Sequence, residues 1–147
     1  MMITIEKVNQ VTLELLQALL RLVPQLTSSN PPPTPDELEA LLRSDSSQLL
    51  IARNGPGGEI VGMATLVLYR VPTGLRGYIE DVVVDSVARG QGIGEAMTRA
   101  CLDAAQKAGA PQVGLTSHPG RVAANALYQK MGFELRHTNA YRYVFRK

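Results

Sequence analysis

The sequence predicts a single α/β domain over residues 1–147, with its elements in the order βααβββαβαββ. Three observations lead there. The length suits one domain of ordinary size, which should bury roughly 68% of the surface its unfolded chain exposes. Hydrophobic residues make up 45% of the chain and charged residues 19%, near globular averages, which excludes disorder and a coiled coil. Short β-rich runs interleave with helically spaced apolar residues, separated by Gly/Pro breaks and free of repeats or low-complexity tails.

The elements follow in turn. Ile3 and Ile5 alternate with polar neighbours, giving a short first strand. From Leu13 to Leu22 the positions Leu15, Leu16, Leu19, Leu20 and Leu22 recur at helical spacing, and Pro24 is expected to close that helix. A stiff loop, Ser28-Ser29-Asn30-Pro31-Pro32-Pro33, leads to Thr34-Pro35-Asp36-Glu37. There Thr34 can cap, Pro35 suits the first helical position and Glu37 completes a capping box, so a second helix runs about Pro35 to Arg43. Gln48 to Arg53 and Glu59 to Tyr69 read as a hairpin across Asn54-Gly55-Pro56-Gly57-Gly58.

After a loop containing Pro72 and Gly74, the segment Gly77 to Val84 is a strand whose valines suit a sheet buried on both faces. Gly92 to Ala108 is a helix with the stripe Ile93, Ala96, Met97, Ala100, Cys101, Ala104 and Ala108, stopped by Gly109 and Pro111. A strand at Gln112 to Thr116, a helix from Arg121 to Met131, and final strands near Phe133 to Leu135 and Tyr141 to Phe145 complete the chain.

Composition narrows the function. One cysteine, Cys101, excludes an internal disulfide, and with only His118 and His137 beside it a structural zinc site lacks donors, so no metal is expected. The start Met1-Met2-Ile3-Thr4-Ile5-Glu6 has no basic region followed by a long apolar run, and no stretch approaches 18 apolar residues. The expected location is the cytoplasm, with no membrane partner. Net charge is +2, yet residues 1–73 hold 5 basic and 7 acidic groups and residues 74–147 hold 10 and 6. Anion binding therefore belongs to the second half. The near-zero balance, without Trp or a basic cluster, argues against nucleic acid.

The most informative segment is Arg89-Gly90-Gln91-Gly92-Ile93-Gly94, between the valine strand and the alanine-rich helix. Its alternate glycines let a ligand approach the backbone, and the following helix start offers N–H groups to phosphate oxygens. A Walker loop would need Gly-Lys-Ser/Thr at its end, and a dinucleotide fingerprint would need glycine where Glu95 stands. Both nucleotide readings fail. A tight turn without ligand is the plain alternative.

The pattern Arg/Gln-x-x-Gly-x-Gly/Ala after a strand and opening a long helix resembles the pyrophosphate signature of the GNAT superfamily of acetyl-CoA-dependent N-acyltransferases, and Arg89 to Gly94 meets every position. Asn125-Ala126-Leu127-Tyr128-Gln129-Lys130-Met131-Gly132-Phe133 is similar to that superfamily's Leu/Phe-Tyr-x-x-x-Gly-Phe segment. Ile79-Glu80-Asp81-Val82-Val83-Val84-Asp85 is locally similar to the strand of glucosamine-6-phosphate N-acetyltransferases. The resemblance implies a mixed, mostly antiparallel central sheet flanked by helices, acetyl-CoA as cosubstrate, and direct transfer to a primary amine in a ternary complex. A small-molecule amine is the favoured partner. Alternatives are a protein lysine or N-terminal acetyltransferase and a catalytically silent acyl-CoA-binding module. A homodimer is compatible with it.

Acetyl transfer to an amine poses three problems. Presenting a lysine-like amine neutral at pH 7 costs about 4.6 kcal/mol, which a proton acceptor helps supply. Glu80 and Asp81 are adjacent in a strand and point to opposite faces unless a bulge intervenes; Glu80 is the preferred base or substrate anchor, acting directly or through a water, and Asp81 the second candidate. The thioester oxygen gains charge as the amine attacks and needs preorganised donors. The resemblance assigns that work, with pantetheine binding, to the main chain of Val82, Val83 and Val84, whose side chains read as core. The CoA thiolate must gain a proton as it leaves, and Tyr128 matches the superfamily's tyrosine in this role. Arg121, Asn125 and Tyr128 fall at i, i+4 and i+7, a polar stripe expected to face the cosubstrate, opposite Val122, Ala123, Ala126 and Leu127. Many relatives have Asn where this chain has Arg121, so pantetheine contacts are expected from Asn125. Ser117-His118 lacks a nucleophile-elbow context and Cys101 lies on an apolar stripe; neither reads as catalytic.

Overall fold

The computed structural model describes residues 2–146. They divide after Thr116 into two compact units, each described by itself.

In the first unit β1 (Ile3–Lys7), β2 (Ser47–Asn54), β3 (Ile60–Val71), β4 (Gly74–Val84) and β5 (Val113–Gly114) form one five-stranded sheet in chain order. β1 to β4 pair antiparallel and β5 joins β4 in parallel, the mixed, mostly antiparallel sheet expected. β4 starts three residues earlier than the valine run suggested, because Val71 pairs with Gly74 and leaves only Pro72 and Thr73 in the turn. β5 is shorter than expected. Its ladder to β4 consists of Gly77 with Val113 and Tyr78 with Gly114.

Helix α1 (Leu13–Leu26) is capped by Thr12, whose hydroxyl accepts from the Leu15 N–H at 3.1 Å. It continues through Pro24 instead of ending there. Proline removes its own N–H bond one turn back but leaves later donors intact, and the Thr27 N–H still reaches the Val23 carbonyl at 3.0 Å. Helix α2 (Pro35–Arg43) has the full capping box: Thr34 accepts from the Glu37 N–H at 3.1 Å, and Glu37 accepts from the Thr34 N–H at 2.9 Å.

These two helices cover one sheet face. Leu15, Leu19, Leu22 and Leu38 pack with Leu49, Ile51, Ile60, Met63 and Val83 in one buried cluster. Ile60 and Met63 are an odd number apart, yet share that face because the β2–β3 register slips between Ala52 and Arg53. Helix α3 (Ile93–Lys107) takes the opposite face. A β-carbon on Gly62 would come within 2.8 Å of the Met97 methyl, so the missing side chain lets α3 approach β3 closely. Fully buried Met97, Cys101 and Ala105 line its inner side.

In the second unit α4 (Val122–Met131) ends in a Schellman motif. Gly132, in the left-handed region at φ 104°, donates to the Gln129 carbonyl at 3.1 Å, and Phe133 donates to the Tyr128 carbonyl at 2.9 Å. The rings of Tyr128 and Phe133 meet edge-on at 5.6 Å, which supplies that motif's apolar contact. The Tyr-x-x-x-Gly-Phe segment is therefore a helix stop, with Phe133 folded back on the helix. The two final strands expected near Phe133–Leu135 and Tyr141–Phe145 are not formed: residues 133–146 belong to no ladder among the described residues, and a strand exists only through its ladder. No described helix is long and apolar enough to cross a membrane.

Burial separates two leucines that periodicity grouped together, since Leu22 is 0% exposed and Leu20 62%. Leu22→Ala should cost about 2–5 kcal/mol through its cavity, and Leu20→Ala at most about 0.5 kcal/mol. Denaturant midpoints at unchanged slope check the pair.

Candidate active site

Strand β4 carries both candidate carboxylates, and a bulge interrupts the regular alternation expected by default from the sequence. Met63 pairs with Val83 and Thr65 with Glu80, so Ala64 alone stands opposite Asp81 and Val82. Asp81 takes up the extra length at φ 53°, the one side-chain-bearing residue in the left-handed region among the described residues. Glu80 and Val83, three apart, consequently share the face covered by α1 and α2. Both carboxylates are exposed. Partial burial, and then the negative charge of Asp81, push the Glu80 pKa above its ordinary value. The raised pKa makes the Glu80 carboxylate a better proton acceptor than an ordinary glutamate.

Past Tyr78, β4 loses β5. From Ile79 to Val84 its edge away from β3 has no ladder partner among the described residues, which leaves main-chain groups there available to a ligand. Val83 is buried in the core, whereas Val82 and Val84 are half-buried, so of the three valines expected as core only Val83 serves it fully.

That open edge leads directly into the glycine segment. Gly90 and Gly92 lie at φ 81° and 78°, where L side chains are strained, and a β-carbon at either would meet nothing within 4 Å. Glycine is thus required by conformation, beside open space. α3 begins at Ile93 with no side chain capping it, so its first-turn N–H groups have no intrahelical acceptor. Main-chain donors, a fifteen-residue helix dipole and room beside two glycines fit a pyrophosphate. The Ile93 side chain is buried, so this residue offers only main chain. Gln91 is exposed, Gly94 accepts from the Thr98 hydroxyl at 2.7 Å, and the Arg89 Nε–H donates to the Val84 carbonyl at 3.3 Å, pinning the loop to the end of β4.

Sequence reasoning missed what anchors the start of this loop. Asp85, 4% exposed, accepts from the Arg21 Nε–H at 3.0 Å, the Gln25 amide at 3.3 Å and the Val87 N–H at 3.3 Å. Arg21 also donates to the Ile60 carbonyl at 2.6 Å, and the Gln25 Oε1 accepts from the Ser86 N–H at 2.8 Å. Burial alone would raise the Asp85 pKa. The Val87 N–H, Arg21 and Gln25 hydrogen bonds and the guanidinium charge outweigh it and hold the carboxyl below its usual range. Asp85 caps the short 3₁₀ turn Ser86–Ala88 through the Val87 N–H, a local signal, but its side-chain partners Arg21 and Gln25 lie 64 and 60 residues away.

In the second unit the expected polar stripe is revised. Val122, 74% exposed, and exposed Ala123 and Ala126 form no buried side; the inner side carries Ala124, Leu127, Tyr128 and Met131 at helical spacing. Tyr128 is thus a buried residue, whereas Arg121 is exposed. The Asn125 amide donates to the His118 carbonyl at 3.0 Å, and His118 Nδ1 accepts from the Gly120 N–H at 2.9 Å, so both side chains shape the turn before α4. Cys101 is fully buried, and burial pushes its thiol up to about 12. No metal-binding cluster occurs among the described residues.

The sequence profile of the acetyltransferase (GNAT) family matches residues 14–133, so this chain belongs to that family. It is 35% identical over 115 residues to the probable glucosamine 6-phosphate N-acetyltransferase 2 of Oryza sativa subsp. japonica, a match covering 75% of this chain and 66% of that protein. With N-alpha-acetyltransferase 30 of Schizosaccharomyces pombe it shares 38% identity over 71 residues, 48% of this chain and 47% of that protein. The match therefore spans between about half and two thirds of these curated relatives. Among solved structures, an acetyltransferase of Trypanosoma brucei superposes with a TM-score of 0.77 at 26% identity, over 97% of this chain and 99% of that one.

Asp85→Asn should destabilise the first unit by about 1–3 kcal/mol at pH 7. A lowered folded pKa contributes stability above the unfolded value and loses it as pH falls through the folded value, so the deficit should shrink on acidification. Melting curves of both proteins between neutral pH and pH 3 measure the convergence.

Proposed function

We propose that this chain is an N-acetyltransferase that moves the acetyl group of acetyl-CoA to the primary amine of a small molecule, both substrates being bound together. The observation that carries this reading is the open edge of β4 running straight into an uncapped helix start through two left-handed glycines. One stretch of main chain thus supplies donors for a thioester and its pantetheine arm and, a few residues on, for a pyrophosphate. The family match across residues 14–133 passes the division at Thr116, which supports a single N-acetyltransferase domain built from both units.

In this reading the Val82, Val83 and Val84 main chain orients the acetyl and pantetheine groups, and Arg89, Gly90, Gln91, Gly92, Ile93 and Gly94 hold the pyrophosphate. Asn125 offers Oδ1 to a pantetheine amide. The amine nitrogen attacks the thioester carbonyl; an N–C bond forms and the C–S bond breaks. Glu80, directly or through a water, takes the proton the amine sheds, Asp81 adds negative charge that attracts the cationic amine, and Tyr128 gives its phenolic proton to the departing thiolate and regains one from solvent. The acceptor class is supported by the glucosamine-6-phosphate relative, whose match covers more of this chain than that of the N-alpha-acetyltransferase. That second relative favours, as the alternative, a protein N-terminus. A cytoplasmic location accords with a lone buried thiol.

Release of CoA thiol from acetyl-CoA, screened against amino sugars, other small amines and peptide N-termini, tests the proposal. Turnover with a small amine supports it, turnover with peptides alone moves it to the alternative, and no turnover with any amine sinks both. Glu80→Gln keeps the shape but cannot accept a proton, so kcat/KM should fall most near neutral pH and partly recover at high pH, where the amine deprotonates itself. In the unmutated chain the acid limb of the profile should lie above the ordinary carboxylate range, because the Glu80 pKa is raised.

Tyr128→Phe preserves the ring that meets Phe133. Melting temperature and CoA affinity should change little while turnover drops about 10²-fold, and acyl donors with a more acidic leaving thiol should be hurt less. Calorimetry and steady-state kinetics on the same preparation check both halves.

A further inference from the structure

One stretch of the first unit's sheet is used neither by the core nor by the groups proposed to hold the cosubstrate. Along β3 and β4 the pairs Thr65 with Glu80, Val67 with Tyr78 and Tyr69 with Arg76 recur at every second position, so these six side chains share one face. It is the α1/α2 face, because a β-carbon on the intervening Gly77 would point the other way, to within 3.6 Å of the Ala105 methyl of α3. None of the six belongs to the buried cluster beneath α1 and α2. Tyr69 and Glu80 are exposed and the other four half-buried. They form a shelf that runs from Glu80 to the β3–β4 turn.

Its two ends carry opposite charge. Glu80 is the sole carboxylate of the six, and Arg76 lies four residues away on the same face, about 13 Å between Cα atoms. Arg21, Arg43 and Arg53 each meet a carboxylate. Arg76 instead donates to the Thr73 hydroxyl at 2.5 Å and meets no carboxylate among the described residues. A guanidinium has five N–H donors in a planar fork that matches a carboxylate or a phosphate, and one hydroxyl occupies little of it. Tyr78 stands between the two ends. A β-carbon on Gly114, its partner in β5, would lie 3.3 Å from the Tyr78 ring, so that ring lies across β5 where a side chain is missing. The shelf thereby has a flat apolar wall midway between its charges.

We infer that the acceptor amine carries an anionic group, a phosphate or a carboxylate, which Arg76 binds while the amine faces Glu80 and the body of the molecule lies against Tyr78. This inference rests on the acetyltransferase reading and adds the chemistry that selects the acceptor. Opposite charges at the two ends of one shelf fix the direction of a molecule charged at both ends. Reversed, the same molecule would set its anion against Glu80 and its amine against Arg76, so selection comes from repulsion as well as attraction.

The test compares two pairs of acceptors, each differing by one anionic group: a hexosamine with its 6-phosphate, and an alkylamine with the matching ω-amino carboxylate. In the unmutated chain kcat/KM should favour the anionic member by roughly 10-fold or more in one pair at least, and that pair tells phosphate from carboxylate. Arg76→Ala should collapse the preference, chiefly through KM, and Arg76→Lys should keep part of it. Both variants should stay folded, since Arg76 lies outside the buried cluster. A role confined to Thr73 and the turn would move both members of a pair alike. Equal use of both members in both pairs overturns the inference and leaves the acetyltransferase reading standing, as does a preference that Arg76→Ala leaves intact. No turnover with any acceptor removes that reading, and this inference with it.

Discussion

Everything at the candidate site depends on β4 meeting two opposed demands. Its side chains must close a core between helices on both faces, which needs a regular strand in register. In the proposed function its main chain must also remain accessible to a ligand, which needs the ladder interrupted. The chain satisfies both by asymmetry. Toward β3 the ladder runs the length of the strand with one bulge, and toward β5 it stops after Tyr78. A core side chain and an unpaired main-chain edge therefore occur together at Val83. The bulge also restores to the α1/α2 face a carboxylate that strict alternation from Val83 would have sent to the other side.

The glycine loop inherits its precision from that strand. A loop with two left-handed residues has many ways to be wrong, and glycine lowers the cost of all of them alike. What selects one is its anchorage: the buried Asp85 carboxylate tied to Arg21 and Gln25 of α1 at one end, the Arg89 bond to Val84, and the start of α3 at the other. Arg21 reaches the Ile60 carbonyl as well, so α1, β3 and the beginning of the loop are fastened at one point. A loop built this way is flexible in composition and fixed in place.

Features legible in the sequence were those determined within a few residues. The Thr34 capping box, the strand–glycine–helix order around Arg89 to Gly94, and the helix ending at Gly132 each have local causes. Glu80 was singled out by its residue type, but the face it occupies depends on how many residues stand opposite it in β3, which no reading of β4 alone reveals. The tie of Asp85 to the rest of the fold was hidden for the same reason, its side-chain partners Arg21 and Gln25 being on α1. Pro24 misled by a rule that is true of its own N–H and not of its neighbours. The final strands show the sharpest limit: alternation specifies which side chains would share a face, whereas pairing depends on an edge that no local pattern encodes. Tyr128 was placed on a polar stripe because it follows Asn125 by three, and burial assigned it to the inner side instead.

The state of Cys101 has a practical side. It is the sole sulfhydryl in the sequence, it is fully buried on the inner side of α3, and burial pushes its pKa up to about 12. Thiolate is the species that reacts with disulfide reagents and maleimides, so at neutral pH this side chain is inert toward them. The protein is in effect a cysteine-silent background: colorimetric reagents that count sulfhydryls would, in the proposed reaction, register released coenzyme alone, and any cysteine introduced at the surface becomes the unique attachment point for a fluorophore or spin label.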